Sequence, residues 1–107
     1  MSADVDKLAQ LRSLCGGPRD GALLRMSIAS TLLARADNDA AVEELRAALH
    51  FDPDYSAAWK LLGKTLAASA DADAARAAYR AGIAAAVKRG DKQAEKEMTV
   101  FLRRLDR

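Results

Sequence analysis

The feature that most constrains the fold is an internal repeat, because the chain matches itself when it is displaced by about 34 positions. The stretch Ala22–Tyr55 then aligns with Ser56–Arg89. The matching residues are Thr31-Leu32 with Thr65-Leu66, Ala36-Asp37 with Ala70-Asp71, Asp39-Ala40-Ala41 with Asp73-Ala74-Ala75, and Arg46-Ala47 with Arg80-Ala81. Such a period indicates two copies of one small unit that bury their apolar faces by stacking on each other.

Apolar residues recur at helical spacing along the chain, while aromatic and β-branched residues are few, which disfavours strands. Glycine, proline and aspartate separate the periodic segments. We predict about six helices, at 3–15, about 20–35, a third ending before Pro53, about 55–69, about 72–89 and 91–106. Because the loops are short, successive helices should lie antiparallel. The 107 residues therefore predict one all-α domain.

Local signals at the helix ends support these boundaries. Gly16-Gly17-Pro18 should stop the first helix, and Gly90 the fifth. Aspartates stand where the following helices need N-terminal caps, at Asp37, Asp39, Asp71, Asp73 and Asp91. The first helix is predicted to carry Asp4 and Asp6 in its first turn and an apolar face of Val5, Leu8, Leu11, Leu14 and Cys15.

The repeated residues resemble the tetratricopeptide repeat (TPR) family, whose signature is W-x-x-L-G-x-x-Y, then A-x-x-x-F and a proline. The second copy carries Trp59, Leu62, Gly63, Leu66, Ala75 and Tyr79, and the first carries Arg25, Ile28, Ala29, Leu32, Ala41, Leu45, Ala48 and Pro53. The resemblance implies a TPR-like α-α superhelix with repeats at 22–55 and 56–89. Two flanking helices, 3–15 and a C-terminal capping helix at 91–106, complete the burial that two repeats cannot achieve alone. Small residues, Ala29 and Gly63, are expected where the helices of a repeat cross.

Function follows from the same resemblance, because such repeats bind peptides or proteins on a concave face lined by the first helix of each pair. The residues at these positions are Leu23, Met26, Ser30, Leu33, Ala57, Lys60, Lys64 and Ala67. Lys60 and Lys64 lie one turn apart and could pair with an acidic partner, or they could be solvated lysines. Met26 and Leu33 could be an exposed apolar contact, or they could pack against the N-terminal helix.

Two alternatives to segment binding remain open at this stage. The first is self-association through the exposed ends of the short array. The second is RNA binding through the stretch from Lys88, which holds seven basic and four acidic residues. A net charge of +2, and basic residues without interleaved aromatic residues, make nucleic acid the weaker partner.

No residue pattern predicts catalysis, a cofactor or a metal site. His50 is the single histidine and stands near a helix end, while Cys15 lies on an apolar stripe. The aspartates lack the spacing of a calcium loop, and Gly16-Gly17 is not followed by the residues of a phosphate-binding loop. One cysteine, an N-terminus unlike a signal peptide and no long apolar run favour a cytoplasmic, non-enzymatic protein without a membrane segment.

Overall fold

The computed structural model describes the backbone of residues 3–107 and the side chains of residues 7–107. This part of the chain forms six helices and no strand, which confirms the predicted all-α fold class. The helices are α1 (Ala3–Arg12), α2 (Ala22–Ala34), α3 (Asn38–Phe51), α4 (Ser56–Ala68), α5 (Ala72–Arg89) and α6 (Lys92–Leu105). The side chains of Asp4, Val5 and Asp6, which were assigned to the first helix from sequence, lie outside the described residues.

The first helix is shorter than predicted, because α1 ends at Arg12 instead of continuing to Cys15. Tight turns replace its last part, with the backbone N–H of Leu14 donating to the carbonyl of Leu11 at 3.1 Å. Asp20 then fixes the following loop, since its Oδ2 accepts from the backbone N–H of Gly16 at 2.8 Å. Gly16 adopts a φ of 81°, a left-handed conformation that glycine tolerates without strain.

The helices pack as two pairs with a helix added at each end. α2 pairs with α3 and α4 with α5; α3 contacts α4 across the repeats, while α1 lies on α2 and α6 lies on both α5 and α4. The array is elongated, with principal extents of 43 × 28 × 19 Å. Because α6 contacts α4 as well as α5, it follows α2 and α4 as the next first helix in the series.

The core consists of a central cluster and one cluster under each flanking helix. Its largest fully buried side chains are Ile28, Leu32, Leu45, Leu62 and Met98. The central cluster joins α2, α3, α4 and α5. Leu8 of α1 packs with Ile28 and Leu32, while Ala94 and Met98 of α6 pack with Tyr79 and Ala86 of α5. The flanking helices thus supply burial that the two repeats lack.

Two glycines mark close helix crossings. A Cβ built on Gly63 of α4 lies 2.4 Å from Cε1 of Tyr79, so α5 approaches where the sequence predicted a crossing. A Cβ on Gly82 of α5 lies 2.4 Å from Sδ of Met98 and 2.6 Å from Cβ of Trp59. We did not predict this second crossing, although Gly82 is the counterpart of Ala48 in the first repeat and both residues are small.

The turn between the helices of each repeat has the same geometry in both copies. Ala36 and Ala70 adopt φ values of 58° and 61°, and the N–H groups of Asp37 and Asp71 donate back to Leu32 and Leu66. The predicted capping role of the aspartates holds only in part. Asp71 and Asp91 accept bonds from Ala74 and Ala94. Asp37 makes no side-chain cap bond, and Asp39 and Asp73 lie inside the first turns of their helices.

Candidate functional site

The residues predicted to line the concave face differ in exposure along α2. Leu23 is 75% exposed and Ser30 is also exposed. Met26 is partly buried against the central cluster, and Leu33 is partly buried against the cluster under α1. Leu33 packs against the cluster under α1 and Met26 against the central cluster, so neither side chain is freely exposed. Leu23 therefore provides the apolar surface on this helix that remains open.

On α4, the two predicted lysines share one side of the helix, and both face α6. Lys60 Nζ lies 3.2 Å from Oε2 of Glu97, so its charge is largely satisfied within the chain. Lys64 is exposed, and its Nζ lies 5.8 Å from the ring centroid of Phe101. Ala57 is exposed and Ala67 is partly buried against the central cluster. Of the predicted pair, Lys64 is thus the cation available to a partner.

The C-terminal helix adds residues to this face that sequence reasoning missed. Arg104 Cζ lies 5.8 Å from the same Phe101 ring that Lys64 approaches, so two cations flank one aromatic side chain. Ser56 Oγ donates to Oδ2 of Asp91 at 3.0 Å and links the start of α6 to the start of α4. This bond and the N–H of Ala94 hold the pKa of Asp91 below its usual range.

A charged cluster occupies the position where the first repeat lacks the signature tryptophan. Arg25 Nη2 lies 2.9 Å from Oδ2 of Asp20, and its Nη1 lies 3.1 Å from Oε2 of Glu44. The bonds from Arg25 and from the backbone N–H of Gly16 hold the pKa of Asp20 well below its usual range. The Asp20 bond correspondingly raises the pKa of Arg25. This cluster fastens the loop before α2 to both helices of the repeat.

Comparisons with known proteins decide the family. TPR repeat-containing protein PA0015 from Pseudomonas aeruginosa is 52% identical over 88 residues, which cover 82% of this chain and 84% of that protein. The chain belongs to the tetratricopeptide repeat family. No family model matches the chain, so its membership rests on this relative and on the structural comparisons.

Two solved structures resemble this TPR protein in fold. The solution structure of protein BPP2914 from Bordetella parapertussis is 46% identical with a TM-score of 0.81, covering 99% of this chain and 90% of that one. The crystal structure of MamA is 18% identical with a TM-score of 0.69, covering 95% of this chain and 66% of that one, and it supports the fold alone. Family membership supports protein–protein interaction in general, and members are typically non-enzymatic scaffolds.

The outer side of α6 in this TPR protein is mostly basic: Oε1 of Glu95 lies 4.0 Å from Nζ of Lys92, and the other carboxylates of this segment are engaged elsewhere. Glu97 bonds Lys60, and Oδ1 of Asp106 accepts from Nε of Arg76 at 2.8 Å. The exposed positions that recur along the remaining side are Lys92, Lys96, Val100, Arg103 and Arg107. This surface is the structural counterpart of the basic C-terminal stretch noted in the sequence.

The other candidate groups have ordinary environments. Cys15 is half-buried against the cluster under α1, and His50 is exposed in the last turn of α3. Among the described residues, no group of three or more histidine, cysteine, aspartate or glutamate side chains is arranged to hold a metal ion. Within the same part of the chain, none of the helices is long and apolar enough to cross a membrane.

Proposed function

We propose that this TPR protein binds a short peptide or protein segment in the concave groove formed by its first helices α2, α4 and α6. The observation that carries the proposal is the 75% exposed Leu23 on α2, combined with the exposed Lys64 beside Arg104 at the α6 end. A partner that covers this leucine gains free energy, because apolar surface is removed from water. A cation that is free of a carboxylate is suited to bind one.

The arrangement favours a segment with an apolar residue at one end and an acidic residue at the other. Packed helices lie roughly 8–10 Å apart, so the path from α2 across α4 to α6 spans roughly 20 Å. An extended chain covers this distance with about six residues, at roughly 3.3 Å per residue. The partner segment should therefore be short, and Lys64 and Arg104 should meet its acidic end.

The test uses peptides selected from a random library on the wild-type protein. We expect Leu23→Ser and Lys64→Glu to weaken binding of the selected peptides at least tenfold, measured by fluorescence polarisation. A tenfold loss corresponds to about 1.4 kcal/mol, within the range for burying a leucine or pairing a charge. Matched controls are Val87→Ser and Lys88→Glu, which change an exposed valine and an exposed lysine on the second helix α5. Equal losses in the controls, or unchanged binding in the first pair, reject the groove.

A second candidate function, self-association, is favoured by an uneven distribution of charge. Residues 1–55 contain nine acidic and six basic residues, whereas residues 56–107 contain six acidic and eleven basic. The two ends of the elongated array therefore carry opposite net charge, and a basic end of one copy can attract an acidic end of the next. The basic side of α6 is one surface of the contact, and the exposed Asp39 and Glu43 on α3, within the acidic half of the chain, are the other.

Mixing two charge-reversed variants tests this second function. We expect the wild type to associate in a concentration-dependent manner that weakens with salt in light scattering. Lys96→Glu with Arg103→Glu, and separately Asp39→Lys with Glu43→Lys, should each be monomeric. An equimolar mixture should form a dimer, because one intact basic surface meets one intact acidic surface. A wild type that is monomeric at all concentrations rejects self-association and leaves the groove proposal unaffected.

A further inference from the structure

An open groove lies on the side of the array formed by the second helices, between α3 and α5. Its volume is about 270 Å³, and its lining consists of Arg46, Trp59, Leu62, Ala74, Ala77, Ala78 and Ala81. Trp59 and Leu62 belong to α4, the alanines belong to α5, and Arg46 belongs to α3. The groove is thus separate from the face formed by α2, α4 and α6.

The first repeat shows why the second has this space. The counterparts of Trp59 and Ala78 in the first repeat are Arg25 and Glu44, and their side chains bond at 3.1 Å. In the second repeat Ala78 carries a single methyl group and Trp59 an indole ring, so no charged pair joins α4 to α5 at these positions, and both residues line the groove. Apolar side chains beside the groove thus replace, in this copy, the charged pair of the first.

We propose that this groove binds an aromatic side chain that stands next to an acidic residue in a partner protein. A volume of about 270 Å³ falls just below the roughly 300–1,000 Å³ of small-molecule sites and suits one inserted side chain. The indole ring of Trp59 and the alanine methyl groups provide flat apolar surfaces for an aromatic ring. The indole N–H already donates to the carbonyl of Pro53 at 2.7 Å, so the ring requires no polar partner from the ligand.

Charge at the edge of the groove selects the acidic neighbour. Arg46 is exposed, and it forms no salt bridge with any side chain between residues 7 and 107. Arg80 occupies the equivalent position on α5, directly before Ala81, and is also exposed. Guanidinium groups bind carboxylates through two parallel hydrogen bonds, so a carboxylate beside the inserted ring can pair with Arg46.

Trp59 allows a direct test, because it is the one tryptophan in the chain and forms part of the groove. The probe is N-acetyl-phenylalanine with its free carboxylate, titrated while Trp59 emission is recorded. We expect a saturable change at millimolar probe, and at least fivefold weaker binding of the neutral amide of the same compound. N-acetyl-alanine, which has the carboxylate without the ring, should leave the emission unchanged. A non-saturable change, or equal binding of the acid and the amide, overturns the proposal.

Single substitutions test whether the probe binds in this groove. Ala77→Leu fills the groove from an exposed position and should weaken the probe at least tenfold, whereas Ala84→Leu, farther along the exposed side of α5, should not. Arg46→Gln leaves the packing intact. It should weaken binding of N-acetyl-phenylalanine about fivefold and leave binding of its neutral amide unchanged. Lys64→Glu should leave the titration unchanged, which separates this groove from the concave face. Unchanged binding in both Ala77→Leu and Arg46→Gln, or loss in Lys64→Glu, rejects the site.

Discussion

The two repeats differ most at the position that holds Arg25 in the first and Trp59 in the second. Arg25 pairs with Asp20 and Glu44, so polar bonds fasten the first repeat at this point. Trp59 instead packs against the core clusters and donates one hydrogen bond to a backbone carbonyl. The same helix-pair geometry thus tolerates two different chemistries at a signature position, provided that the positions facing it change as well.

A second difference shows the same compensation inside the core. The first repeat has Ala29 and Leu45 at the positions where the second has Gly63 and Tyr79. The larger aromatic ring of Tyr79 lies where a Cβ on Gly63 would stand, whereas the smaller leucine leaves room for an alanine. The crossing therefore conserves the combined size of a pair of residues and not the identity of either one.

The largest expected effect concerns two of the three core clusters, the central cluster and the cluster under α1. Leu62→Ala should lower the free energy of unfolding by about 2–5 kcal/mol, because Leu62 is completely buried in the central cluster. Ile28→Ala should cost a similar amount but act first on the cluster under α1. In urea, we expect Trp59 fluorescence and circular dichroism to report one transition for Leu62→Ala and an earlier helical loss for Ile28→Ala. Coincident transitions in both variants contradict this division of the core.

The next-largest effect on stability concerns the sizes of the two residues that meet at the helix crossing, Gly63 and Tyr79. Gly63→Ala should lower the free energy of unfolding by about 2 kcal/mol, because overpacking outweighs the gain in helix propensity of about 1 kcal/mol. Adding Tyr79→Leu should recover most of this loss by recreating the pair of the first repeat. The control Ala29→Gly should cost only about 1 kcal/mol. A double variant as unstable as the single variant refutes the compensation, with urea denaturation as the measurement.

The shared turn geometry gives a smaller effect of opposite sign. Ala36→Gly and Ala70→Gly should each raise the free energy of unfolding by about 0.5–1 kcal/mol, because alanine is strained at the positive φ of these turns. The free energy gained by relieving this strain exceeds the free-energy cost of the greater conformational entropy of glycine in the unfolded chain. Ala84→Gly changes an exposed position inside a helix and should lower the free energy of unfolding by about 1 kcal/mol. Thermal unfolding that ranks the turn variants below the wild type contradicts the prediction.

The polar cluster of the first repeat gives the smallest effect, which depends on pH. Because the pKa of Asp20 is lowered in the folded chain, its ionised form stabilises the fold above the unfolded pKa of about 4. This contribution is lost as the pH falls toward the lower folded pKa. Asp20→Asn should therefore flatten the acid side of the stability profile, and Arg25→Leu should flatten it similarly. Denaturation at pH 2 to 6 checks this; an acid side as steep as that of the wild type in both variants is the contradicting outcome.

Much of the fold could be predicted because its signals are local. The limits of α5 agree with the prediction, since aspartate and glycine mark its two ends. The small residue at Gly63 also lies at the predicted crossing. The end of α1 was predicted three residues too late, because tight turns begin after Arg12 although the apolar pattern continues to Cys15. The concave-face residues remain a proposal, since exposure alone does not show what they bind.

The sequence by itself determined the repeat period, the helices and the crossing at Gly63, because periodicity, caps and small residues act within a few turns of chain. Tertiary structure decided which cation on α4 is free, since Glu97 comes from a helix far along the chain to meet Lys60. It also decided that a groove stays open over Trp59, since that depends on what α3 and α5 place opposite it. Salt bridges between helices and open grooves between helices both depend on how the helices pack, so only the tertiary structure shows them.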